Sequence, residues 1–150
     1  MRSRTLTTLA LSLAALLALQ AAPTLAHHSF AMYDRNISKT FTGRLIRFIP
    51  GANHAQLIFE LIDENGATQL DANGKPIAWG IETGPSASIA RQGVTVKAYP
   101  VGTVMTVTLN PLRDGRNFGV LSGGIVHCGT ALPAGGCNEK TGTVHMAPNN

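Results

Sequence analysis

Apolar and polar residues alternate with a period of two over most of the chain beyond residue 40. From Thr40 to Ile49, Phe41, Gly43 and Leu45 share one face, and Thr40, Thr42 and Arg44 the other. His54 to Ile62 repeats this, with Ala55, Leu57, Phe59 and Leu61 opposite Gln56, Ile58, Glu60 and Ile62. Ile77, Trp79 and Ile81 line one side of a third stretch that ends at Glu82. Met105, Val107 and Leu109 line a fourth over Thr103 to Leu109, and Phe118 to Val126 makes a fifth, interrupted by Gly119, Gly123 and Gly124. Successive side chains of a strand point to opposite faces, so the pattern predicts five strands, each with one face buried. Gly43, inside the first, predicts a bend or bulge.

Turn formers separate these stretches. Pro50-Gly51-Ala52-Asn53 follows the first strand, and Asp63-Glu64-Asn65-Gly66 and Asp71-Ala72-Asn73-Gly74 flank a short segment after the second. Between the third and fourth strands the period changes. Thr83-Gly84-Pro85-Ser86 reads as a helix entry, Ala87 to Arg91 as about two helical turns, and Gly93 as the glycine that closes them. The fold class that follows is all-β with one short helix, in the order β-β-β-α-β-β. That is the layout of a small five-stranded OB-like barrel, with a small β-sandwich as the second choice.

The first residues follow a different rule. Arg2 and Arg4 precede an uncharged run from Leu6 to Leu19, and a short polar stretch closes on Thr24-Leu25-Ala26. This is the pattern of a secretory signal peptide cut after Ala26. Cleavage after Ala22 and retention as an uncleaved anchor are the alternatives. The expected organisation is a signal peptide over 1–26, the barrel over 27–128, and a Gly-rich loop with a flexible tail over 129–150. The mature chain would be periplasmic or secreted, with no stable membrane insertion. Arg2 and Arg4 leave with the signal, so ten basic residues face eight acidic ones, a net charge of +2. That is too mild for nucleic acid as a partner.

Four segments resemble a family of secreted bacterial proteins called domain of unknown function 6152. They are Ala26-His27-His28-Ser29-Phe30; Thr42-Gly43-Arg44 through Asn53-His54-Ala55; Trp79 through Ser86; and Arg91-Gln92-Gly93 through Val101-Gly102 to Arg113-Asp114-Gly115. The resemblance spans roughly residues 26–126 and implies an exported OB-like domain, without an established activity. The family usually carries Asn-Pro-His before its second strand where this chain has Ala52-Asn53-His54. Cys128 and Cys137 lie beyond the usual pattern.

Cleavage after Ala26 would put an α-amine and an imidazole on one residue, His27. Amine and Nδ1 can chelate a single ion, and a third nitrogen completes the arrangement known as a histidine brace. Tetragonal nitrogen sites favour Cu(II). His54 is the expected third ligand, because it stands beside a turn at the start of a strand. His28 offers a local alternative through amine, backbone amide and imidazole. Glu82 is the candidate axial oxygen, or the group that orients an imidazole. The bland reading is a solvated His-His leader with His54 as a turn residue.

Cys128 and Cys137, with eight residues between them, are expected to form a disulfide in an oxidising compartment. A soft-metal site of His127, Cys128 and Cys137, with Met146, is the weaker alternative. The stretch after Cys137 is polar, so His145-Met146 would be an incidental donor pair on a flexible tail. The chain has no Gly-x-Ser-x-Gly, phosphate-loop, dinucleotide or His-Glu-x-x-His motif, so no enzyme class is indicated. Three functions remain: a periplasmic copper-binding module, a copper- or iron-dependent oxidase on the same ligands, and a metal-free OB module. The last would bind an oligosaccharide, peptide or protein along Gln56, Ile58, Glu60, Ala78 and Gly80.

Overall fold

The structure is a computed structural model that describes residues 30–146. His27, His28 and the expected signal peptide lie outside the described residues. A 3-10 turn at Phe30–Met32 leads to six strands and one short helix. These are β1 (Lys39–Ile49), β2 (Gln56–Leu61), β3 (Ala78–Glu82), α1 (Ser86–Ala90), β4 (Val104–Pro111), β5 (Phe118–His127) and β6 (Thr143–His145).

β1 is long enough to serve two partners. It pairs antiparallel with β4 from Lys39 to Arg44 and with β2 from Gly43 to Ile49. β2 pairs with β3, β4 pairs with β5, and a parallel pairing of β3 with β5 closes the ring. The result is the expected five-stranded OB-like barrel, closed so that these strands cover one another's edges. The irregularity in β1 falls between Leu45 and Arg47 rather than at Gly43. Gly43 answers a different need. A side chain there would run into the Phe59 ring and the Glu60 carbonyl, so its missing Cβ lets β1 and β2 approach.

The inward faces form one core. Leu45, Leu57, Phe59, Ile81, Met105, Val107, Leu109 and Ile125 are buried, and Ile89 of α1 plugs one end with Val94 and Tyr99 behind it. Each such side chain contributes about 1.5–3 kcal/mol by leaving water. The two Asp-x-Asn-Gly loops fold alike. Asp63 Oδ1 accepts from the amides of Asn65 and Ala67, and Asp71 Oδ1 from those of Asn73 and Lys75. Gly66 and Gly74 take the positive φ that each turn requires.

The lead-in of residues 31–38, ahead of β1, is anchored to the barrel. Tyr33 is 3% exposed and bridges to Leu112, and the amide of Asp34 donates to the Pro111 carbonyl. The stretch expected to be a flexible tail is pinned as far as Met146. The Cys128–Cys137 disulfide forms as expected, which removes both thiolates from the soft-metal alternative. Beyond it, β6 adds to the far end of β5, with Ile125 opposite His145 and His127 opposite Thr143. The reason is topological. β3 covers β5 only from Phe118 to Val120, which leaves the later part of that edge for another strand.

Candidate functional site

His54 and Glu82, far apart in sequence, meet because β2 and β3 are paired. Gln56 lies opposite Glu82, and the pairing continues past the strand ends through Thr83 N to Ala55 O and Ala55 N to Gly84 O. Thr83 is buried, and its hydroxyl lies within hydrogen-bonding distance of the carbonyls of Ala55 and Gly84, which fixes this corner. His54 Nδ1 consequently stands 3.2 Å from the Thr83 carbonyl and 3.5 Å from Glu82 Oε1. Both neighbours are acceptors, which favours a proton on Nδ1. The His54 side chain is 35% exposed and that of Glu82 14%.

Glu82 has a second neighbour, the Tyr33 hydroxyl. Burial, then the Glu82 charge and the pull of its carboxylate on the phenol proton, push Tyr33 up to about 12, against a smaller opposing pull from Arg116. Tyr33, Glu82 and His54 thus form a line from the anchored lead-in to the barrel rim. Arg113 holds the lead-in from the other side. Its Nε donates to the Ala31 carbonyl and its amide to that of Met32.

His54 and Glu82 face a cleft of about 220 Å³, completed by Thr83, Gly84, Val120, Leu121 and Met146. Its walls are largely aliphatic, with the imidazole, the carboxylate and the thioether as the groups able to bind an ion. Among the described residues no three His, Cys, Asp or Glu side chains converge. A metal held here therefore needs donors of another kind, the thioether of Met146 or the histidines outside the described residues.

A second group of histidines lies near the end of β5. The Tyr99 hydroxyl and His145 Nδ1 are 3.0 Å apart, and the His127 and His145 rings stack at 6.0 Å with 5° between their planes. Tyr99 also meets His127 edge-on at 4.8 Å. Burial raises the Tyr99 phenol well above its ordinary range. Burial, and then the neighbouring His127, lower the His145 pKa. Both shifts favour neutral groups, so the phenol donates and His145 accepts. His127 Nε2 is 3.2 Å from the Ala98 carbonyl.

The residues expected of a ligand-binding barrel face separate differently. Gly80 is covered by Phe118 and Ile58, and no exposed large apolar residue of the described chain lies among Gln56, Ile58, Glu60 and Ala78. Sequence reasoning passed over Tyr33 and Tyr99. The one available signal for Tyr33 was an aromatic inside an otherwise polar segment.

No curated protein and no solved structure matches the chain. A family model does, over residues 14–122, which include β1 to β4, the helix and the first half of β5. The pair His54 and Glu82 lies within the match, whereas the disulfide, β6 and Met146 lie beyond it. The match covers most of the chain, which therefore belongs to the family of unknown function DUF6152.

Proposed function

We propose that the protein is exported and binds a transition metal, copper before others, between its processed N-terminus and His54. The observation that carries this reading is the line Tyr33–Glu82–His54. Tyr33 sets the lead-in beside Glu82, and His27 stands three residues before the 3-10 turn Phe30–Met32. Three extended residues span at most about 10 Å, which is the reach from Phe30 that this reading gives the His27 amine and imidazole. In this arrangement His27 supplies two nitrogens and His54 Nε2 a third. Glu82 accepts from His54 Nδ1, which orients the ring and raises the basicity of the other nitrogen. His28 is the local alternative to His54. Copper precedes zinc because amine and imidazole nitrogens in a tetragonal set suit Cu(II). The disulfide supports export, since such bonds persist in oxidising compartments. Among the described residues no helix is long and apolar enough to cross a membrane.

The test is a Cu(II) titration of protein matured in a bacterial periplasm, beside His54→Ala and a form carrying one additional glycine before His27. Tight one-to-one binding that weakens tenfold or more in both, about 1.4 kcal/mol each, is expected. Binding untouched by His54→Ala reduces the site to the His27-His28 leader.

A further inference from the structure

Among the described residues, Met146 is the one methionine that the fold brings to the cleft holding His54 and Glu82. Its backbone is unusual. With φ at 54° it is the only non-glycine residue with positive φ among the described residues. Such a conformation is strained for a residue with a Cβ, so it persists only where the surroundings hold it. They do so here. β6 is paired to β5 through three residues, His145 is tied to Tyr99 and stacked on His127, and the Met146 side chain packs against the main core. The chain is thus fastened immediately before the residue whose side chain enters the cleft. β6, His127 and Met146 lie beyond the family match, whereas Tyr99 lies within it.

Core packing alone explains a partly buried methionine. It does not explain why the same side chain lines the wall of a cleft whose other polar groups are an imidazole and a carboxylate. A thioether is a soft ligand, and thioether with imidazole selects Cu(I). We infer that Met146 is a ligand of Cu(I), with His54 as its partner, so the cleft takes the reduced ion as well as the oxidised one. This inference rests on the metal-binding reading of the same cleft. The two ions would use it differently: Cu(II) through the nitrogens of His27 and His54, Cu(I) through His54 and Met146. Glu82 serves both by holding His54.

The experiment measures Cu(I) and Cu(II) affinity separately in the periplasm-matured protein, with Cu(I) presented anaerobically under ascorbate against a chromophoric Cu(I) chelator. Met146→Leu retains the packing volume and removes the sulfur. Met32→Leu, at an exposed position in the lead-in, is the control. The expected result is a tenfold or greater loss of Cu(I) affinity in Met146→Leu, with Cu(II) affinity within twofold of the parent and no change in Met32→Leu. X-ray absorption of the Cu(I) form should show copper–sulfur scattering that disappears in Met146→Leu. Unchanged Cu(I) affinity in Met146→Leu, with Cu(II) still dependent on His54, overturns this inference and leaves the metal site standing. A parent protein that binds neither ion overturns both. Thermal unfolding of Met146→Leu, expected within a few degrees of the parent, separates a lost ligand from a lost fold.

Discussion

The molecule holds two histidine-bearing regions, each with a buried tyrosine, and they are built for opposite purposes. At the cleft, Tyr33 reaches His54 through a carboxylate, and the imidazole is a third exposed. Near the end of β5, Tyr99 reaches His145 directly, and a second imidazole stacks on it with no carboxylate among the interacting groups. A carboxylate stands 3.5 Å from His54 Nδ1. The environment of His145 disfavours the charged imidazole, as its lowered pKa records. The same residue types thus make a corner with a carboxylate beside its imidazole in one place and a neutral aromatic latch in the other. What separates them is the presence of Glu82. The two are also connected, because the latch ends at His145 and the next residue lines the cleft.

The largest expected effect breaks the latch. Tyr99→Ala opens a void in the main core and should cost about 3–5 kcal/mol in denaturant unfolding. Replacing Cys128 and Cys137 together by serine should cost about 2–3 kcal/mol, given the short loop they close. It should also raise amide exchange in Thr143 to His145 above that in β2. On the cleft side, Glu82→Gln should weaken Cu(II) binding about tenfold, since it removes the group that orients His54. Its effect on stability should be far smaller than that of Tyr99→Ala. Tyr33→Phe removes the buried hydroxyl beside Glu82 and should cost about 1 kcal/mol.

The smallest effect concerns pH. Both phenols have raised pKa values in the folded chain, Tyr33 to about 12 and Tyr99 higher. Between the unfolded value near 10 and these folded values, the unfolded chain carries fewer protons. Stability contributed by the tyrosines is therefore complete below about pH 10 and lost as pH rises above it. Phenolate absorbance measured alongside unfolding should show both residues ionising only above the range of a free tyrosine.

Much of the barrel was legible in the alternation, because burial of one strand face leaves a period of two. Phe59, Ile81 and Leu109 were each placed on the inward side by that rule and are buried. The closure of β3 on β5 was not legible, since parallel pairing over three residues leaves no local mark. Nor was β6. Thr143 to His145 is too short and polar to signal a strand, and it exists because β5 has an uncovered edge. Tyr33 escaped for a similar reason, as its burial depends on Leu112, which is distant in sequence. His54 and Glu82 were singled out by their positions at a strand start and a strand end. That these two ends coincide follows from the β2–β3 register, which places Gln56 opposite Glu82.

The central claim, that copper is held between the processed terminus and the barrel, is tested most directly by electron paramagnetic resonance. The sample is periplasm-matured protein carrying one equivalent of Cu(II), compared with its His54→Ala variant. The account predicts a tetragonal Cu(II) signal with nitrogen hyperfine structure that loses one nitrogen in the variant. An identical spectrum from both proteins would contradict it, because the copper would then sit on the leader alone and His54 would be a residue of the turn.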